Sequence, residues 1–252
     1  DPARQQAALT LAQAHADADR VVRGNYWGDG NVPFCFGSWL QRWRCENVSF
    51  KNNSDGSQSP YELNINYFDA INHPELVESS PTTAINRFIV SQAIGLCLAG
   101  VPGIYFHSLF GSQNDYAGLA ATGRYRSINR EKLELERLQA ELNDETSIRS
   151  QVFDRYKQLL SIRREHTAFH PLASQIVHDI HPAIFAIERF NTDTKEHLFC
   201  LNNITNESIK IEIPVQARRC LDLIHHEAYE VIENKLEIML SPYQITWLKL
   251  LL

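Results

Sequence analysis

The stretch Gly100–Asp115, GVPGIYFHSLFGSQND, decides how the chain is read. An apolar run leads into it, Val101-Pro102-Gly103 breaks that run, and Ile104–Phe106 reads as a short buried strand. A polar, glycine-containing loop follows. Upstream, Pro81–Gly100 reads as a helix. Pro81 sits at a permissive first-turn position, and Ala84, Phe88, Ala93 and Leu96 fall near one face. Gly100 suits the C-cap. Helix, sharp turn, two-sided buried strand and polar loop form the αβ step of a parallel β/α barrel. In such a barrel the loop His107–Asp115 lies at the C-terminal face, where chemistry is placed.

Working outward, Asp1–Val22 is Ala-rich and helical, and residues 23–47 show no clean period. Val48–Phe50 reads as a strand, and Asn52–Pro60 as a loop rich in turn residues, with Asp55-Gly56 its turn. Helices are expected over Arg130–Asn143 and Ile148–Glu165. After about His170 the pattern becomes short, often alternating segments (AIFAIERF, EHLFCLNNI, SIKIEI, LEIML) divided by turn residues. That is an all-β module. The expected organisation is an irregular segment at 1–47, a β/α unit at 48–168 and an all-β domain at 169–252.

Bulk properties exclude some functions. Of 252 residues, 44% are hydrophobic and 21% charged, as in a globular protein with a real core. A net charge of −6 argues against a nucleic-acid or membrane-surface partner. Ala93–Phe106 is too short and too broken to span a bilayer. The cysteines at 35, 45, 97, 200 and 220 form no C-x-x-C pair, so they are read as reduced thiols of a cytoplasmic protein. No secretory signal is read in the first thirty residues. The start at Asp1 fits a fragment.

Three ordered stretches carry a resemblance: YELNINYFDAI (61–71), GVPGIYFHSLFGS (100–112) and GRYRSINREKL (123–133). Together they resemble the sucrose-phosphorylase-like branch of the alpha-amylase family, within it the glucosylglycerate and sucrose-6-phosphate phosphorylases. The resemblance covers about Val48–Leu252. It implies the C-terminal part of a (β/α)8 TIM barrel followed by a small all-β domain. It implies retaining double displacement on an α-glucoside, with phosphate accepting the glucosyl group to give α-glucose 1-phosphate. Its partners would be a sugar substrate and inorganic phosphate, with no metal and no other cofactor.

The same resemblance implies substrate-binding roles for Tyr61 and Glu62 on the loop after the seventh strand. It implies another for Arg126, whose guanidinium suits distal sugar hydroxyls. The family's nucleophile and acid/base lie upstream of everything matched here, and its His-Asp pair has no counterpart at the right place. His178-Asp179 is a literal match inside the β module, read as an ordinary exposed strand pair. No catalytic residue is therefore assigned, and a non-catalytic remnant or assembly module is the alternative.

Other residues take structural readings. Of Asn64 and Asn66, one is expected to be a buried amide, and Asn129 to hold its loop. His107 suits either the pocket mouth or a satisfied interior position. Asp69, Glu75 and Glu78 read as solvated loop acids, and His225-His226 lacks a further patterned ligand. Trp27, Trp39 and Trp43 suit sugar stacking or a core patch. A partial barrel exposes strand edges, which predicts poor solubility, a homodimer, or association with a complementary fragment.

Overall fold

The computed structural model describes residues 48–251. The expectations for residues 1–47, including the Ala-rich helix and the three tryptophans, lie outside the described residues.

The chain enters through an antiparallel hairpin of β1 (Val48–Asn52) and β2 (Gln58–Leu63). Its turn is made by the expected residues. Gly56 takes φ +82°, and Asp55 Oδ1 accepts the Ser57 N–H at 2.9 Å. The loop is shorter than expected, because Gln58–Pro60 already pair with β1. Tyr61 and Glu62 consequently stand on a strand, not on a loop.

Short helices α1 (Tyr67–Ile71) and α2 (Pro74–Ser79) lead to α3 (Pro81–Cys97). After α3 come α4 (Phe106–Leu109), α5 (Tyr116–Thr122), a 3-10 turn at Tyr125–Ser127, α6 (Leu135–Asn143) and α7 (Ile148–Glu165). Residues Arg130–Glu134 remain outside α6, so that helix is shorter than its charge pattern predicts. In α7, Ser147 accepts the Ser150 N–H at 3.0 Å as N-cap.

Beyond α7 lie β3 (Ser174–His181), β4 (Ile184–Phe190), β5 (His197–Asn203), β6 (Ile209–Pro214), β7 (Arg219–Asp222), β8 (Ala228–Glu230), β9 (Lys235–Leu240) and β10 (Ile245–Leu251). Six of them form an antiparallel sheet ordered β3-β4-β5-β10-β7-β8, and β6 pairs with β9. Three layers result. Helices α3 and α7 cover one face of the large sheet, where Phe88, Ile94, Val152 and Leu159 meet Phe185, Ile187, Cys200 and Trp247. The β6–β9 pair covers the other face with Ile211, Ile213, Leu236, Ile238 and Leu240. This layering explains the sequence texture. β9 alternates because one face meets water, whereas β5 is buried on both faces from Leu198 onward and reads as a continuous run.

Two local expectations around Gly100 are corrected. Helix α3 ends at Cys97, and no strand forms at Ile104–Phe106. Residues 101–105 are irregular and Phe106 starts α4. Val101 is 84% exposed and Phe106 54%. The reason is hydrogen bonding: a strand needs neighbours for its N–H and C=O groups, and among the described residues none runs alongside this segment. The end of α3 is held by side chains instead of a glycine cap. Arg163 donates to the carbonyls of Leu96 and, at 2.7 Å, Gly100. Arg189, fully buried on β4, donates to Cys97 O and His170 O, each at 2.9 Å. Bonds from a charged donor contribute roughly 1.5–3 kcal/mol each. They tie the helix end to the sheet.

Candidate functional site

Asn66, in the first of the stretches that carry the resemblance, bonds to the third and to the two residues that follow the second. Its backbone N–H donates to Asn114 Oδ1 at 2.7 Å. Its Nδ2 donates to Gln113 O at 2.6 Å and to Ile128 O at 3.2 Å. One side chain thus joins the segment after β2 to the loop after α4 and to the segment after the 3-10 turn. Asp69 adds a second tie, because its Oδ2 accepts the Asn114 N–H at 2.6 Å. Asp115 N–H donates to Ile128 O at 2.8 Å, and Tyr105 Oη–H donates to Asn129 O at 2.8 Å. Asn64 and Asn66 are both buried, so the structural-amide expectation is met twice.

Asp69 is a correction. It is not a solvated loop acid: only 7% of it is exposed. Burial pushes its pKa up to about 6, against the opposing pull of the bonds from Asn114 N–H and Gln113. Asn66 and Asp69 stand three apart at the start of α1, a spacing that reads as a local helix cap. Neither is a local cap, since both reach across to the 113–115 loop. That cross-loop pairing is what sequence reasoning missed. Glu78 is exposed, as expected of a solvated acid.

His107 is interior and paired. Its Nδ1 lies 3.1 Å from Ser112 Oγ, and Ser112 Oγ accepts from Arg149 at 2.7 Å. Burial holds the imidazole pKa below its ordinary value; Glu131 opposes this and Arg149 reinforces it. Gly111 makes the turn possible. Its φ is +56°, and a Cβ there would come within 2.9 Å of Val152 Cγ2.

Beside this junction lies a cleft of about 610 Å³, walled by Gln113, Asp115, Tyr116, Glu131, Arg137 and Arg149. Its two guanidiniums are paired with glutamates, while Asp115 Oδ1 accepts the Gly118 N–H at 2.7 Å. Arg149 pairs with Glu131 at 2.8 Å and Glu141 at 2.6 Å, and Arg137 pairs with Glu141 at 3.1 Å. The last is an i,i+4 pair of the expected kind on α6. Such a wall offers a hydroxyl, amides and one more carboxylate than guanidiniums, which suits a neutral polyhydroxylated ligand better than a free anion.

Of the three expected binding residues, Arg126 is exposed on the 3-10 turn, two residues before Ile128. The backbone of Tyr61 and Glu62 lies on β2, just before Asn64. The fold therefore brings the segments that carry them to one junction. In the β module, His178 Nε2 contacts Glu188 at 2.7 Å and Asp179 is exposed. His225 Nδ1 contacts Asp222 at 2.6 Å. Among the described residues no three His, Cys, Asp or Glu side chains gather as a metal site would require. Cys97, Cys200 and Cys220 are buried free thiols, and burial raises the pKa of Cys200 and Cys220. Among the described residues no helix is long and apolar enough to cross a membrane.

The architecture is that of alpha-amylase-type enzymes: the C-terminal part of a (β/α)8 barrel followed by an antiparallel β domain. A variant of AmyP in complex with maltotriose matches with a TM-score of 0.54 at 15% identity, over 73% of this chain and 37% of that one. The alpha-amylase of Geobacillus thermoleovorans matches with a TM-score of 0.54 at 12% identity, over 70% and 35%. Residues 175–247 match the family described as Maltogenic Amylase, C-terminal domain.

The curated relatives by sequence are phosphorylases, the branch that the three stretches resemble. The chain is 38% identical to a glucosylglycerate phosphorylase of Escherichia coli over 203 residues, 80% of this chain and 34% of that protein. A glucosylglycerate phosphorylase of Spirochaeta thermophila is 37% identical, over 80% of this chain and 35% of its own length. A sucrose 6(F)-phosphate phosphorylase of Thermoanaerobacterium thermosaccharolyticum is 24% identical over 47% of this chain and 21% of its own. The chain thus spans about a third of the length of the glucosylglycerate phosphorylases it matches.

Proposed function

We propose that this chain is the C-terminal portion of a glucoside phosphorylase. The whole enzyme would transfer a glucosyl group from an α-glucoside to phosphate, giving α-glucose 1-phosphate, in the cytoplasm. Glucosylglycerate is the first donor to test, before sucrose 6-phosphate and sucrose. The observation that carries this is the identity of 38% to a glucosylglycerate phosphorylase, extending over 80% of the chain. The Asn66 junction supports it, because it ties the first and third of the stretches that carry the resemblance to the residues that follow the second.

In this reading residues 48–168 are the last part of the barrel and 169–252 the C-terminal domain. Tyr61 and Glu62 contribute to the rim of the sugar and phosphate pocket, and Arg126 holds the donor glucose. The catalytic carboxylates belong to barrel strands upstream of the matched stretches, so the chain alone turns nothing over. A second reading, a non-catalytic assembly module or homodimer, draws on the exposed apolar residues Val101, Tyr105 and Phe106.

The test is phosphate-dependent release of α-glucose 1-phosphate from each of the three donors. The chain alone is expected to give none. Mixed with the N-terminal two-thirds of a glucosylglycerate phosphorylase, it is expected to restore release, and Arg126→Ala is expected to abolish that restoration. No complementation by a folded, soluble chain overturns the enzyme-portion reading and leaves the assembly module.

A further inference from the structure

Four arginines of α7 and β4 are partly or fully withdrawn from water, and three of them have several acceptors each. Arg149 has two carboxylates and a hydroxyl. Arg163 and Arg189 have the carbonyls at the end of α3. The fourth, Arg155 in the middle of α7, has one partner: its Nη1 donates to Asn86 Oδ1 on α3. Among the described residues no carboxylate pairs with it. Burial lowers its pKa and no neighbouring charge offsets that effect. A guanidinium carries five N–H donors, so most of its capacity is unfilled. Removing such a group from water without a counter-charge is costly.

Arg155 lines a cleft of about 790 Å³ between α3, α7 and the loops around β7–β8 and β9–β10. The opposite wall carries His225, Tyr243 and Gln244. His225 uses Nδ1 on Asp222, which leaves Nε2 for a ligand. Glu227 also lines the cleft, and its carboxylate accepts from Tyr229 Oη–H at 2.9 Å. This cleft is separate from the Asn66 junction and shares no lining residue with the cleft beside it.

We propose that the cleft between the helical layer and the β module is a second binding site, and that it takes a small oxyanion, a phosphate or carboxylate group, on Arg155. The guanidinium presents a planar fork to two oxygens of the anion, and His225 Nε2 approaches a third position, while Gln158 and Gln244 are held by bonds within the protein and shape the wall. A site built from one element of each layer would couple ligand binding to how firmly the β module sits on α3 and α7.

The test is calorimetric titration and thermal unfolding of the full chain with inorganic phosphate, glucose 1-phosphate and gluconate, and with glycerol as the neutral control. At least one anion is expected to bind and raise the melting temperature, with an affinity that falls as salt rises. Arg155→Met is expected to weaken it by about tenfold or more, and Arg155→Lys by less. Phosphate alone binding as tightly as glucose 1-phosphate identifies a free-oxyanion site; tighter binding of glucose 1-phosphate or gluconate identifies an esterified or sugar-acid ligand. Should Arg155→Met fail to fold, shifts of the His225 ring resonances on adding the anion to the unaltered chain provide the readout. No binding by any anion, equal effect of glycerol, or binding that survives Arg155→Met but is lost in Arg126→Gln overturns the proposal. The last outcome would place the anion at the loop site.

Discussion

The two ends of the molecule handle apolar surface in opposite ways. At the centre of the large sheet the big side chains find cover: Trp247 is fully buried, with its ring centroid 4.8 Å from that of Phe169, and only Ile176 and Leu251 of its described large apolar side chains are exposed. Around Gly100–Phe110, Val101, Tyr105 and Phe106 stand in solvent. Composition does not explain the difference, since both regions are rich in large apolar residues. Coverage does. The β module supplies both sheet faces with partners from within this chain: helices on one side, the β6–β9 pair on the other. The segment after α3 has the sequence of a barrel strand but lacks neighbouring strands among the described residues. An element forms when its partners are present, and a good strand sequence does not suffice.

The largest expected effect tests the closed end. Trp247→Ala should destabilise the chain by about 4 kcal/mol, through lost burial and the cavity left between helices and sheet. Urea unfolding followed by circular dichroism measures it. A loss below about 1 kcal/mol would mean that the closed end is no better packed than the open one.

Next comes the seam between the regions. Arg189→Met should cost about 3 kcal/mol, because the carbonyls of Cys97 and His170 lose a charged donor in a buried setting. It should also loosen the end of α3, seen as faster amide exchange over Leu96–Gly100. A uniform loss across the chain, with no local change in exchange, would remove the special role given to this seam.

A pH experiment sharpens the comparison at the loop junction. Asp69 has its folded pKa raised by burial to about 6, above the ordinary aspartate value. A carboxyl shifted upward favours the folded state fully only below its unfolded pKa, and that contribution is lost as pH rises through the folded value. Asp69→Asn keeps an oxygen for the Asn114 N–H and removes the buried charge. It should therefore stabilise the chain by about 2 kcal/mol at pH 7, with the gain fading towards pH 4. Melting curves across that range decide it. A loss at pH 7 would mean that the junction relies on the charge itself.

The smallest effect concerns the open end. Phe106→Ser should change unfolding free energy by about 0.5 kcal/mol or less, since Phe106 is 54% exposed. Its visible consequence should be reduced self-association in sedimentation or light scattering. A large stability loss instead would show that Phe106 is covered in solution and that the two ends are less different than their exposures suggest.

Much of the fold was legible from local patterns. The period of α7 with its Ser147 cap, the Asp55-Gly56 turn and the alternation in β9 follow from side-chain geometry within a few residues. Sequence therefore suffices for them. Three motif stretches also sufficed to point to the amylase-type phosphorylase branch. The misread places depend on distant partners. Ile104–Phe106 has a strand's composition, and only pairing decides whether it becomes one. Asp69 looks like a surface acid until Asn114, 45 positions away, offers its N–H. Gly100 looks like a helix cap, but Arg163 and Arg189 hold that end from 63 positions and more downstream.

The sequence by itself determined the long helices α3 and α7, the Asp55-Gly56 turn, the β module and the resemblance, because each rests on short-range periodicity or on contiguous residue identities. The tertiary structure alone decided which carboxylate is buried, which carbonyls Arg163 and Arg189 hold and which apolar segment stays uncovered. Those are properties of pairs and layers, fixed by desolvation and hydrogen bonding between groups far apart in the chain.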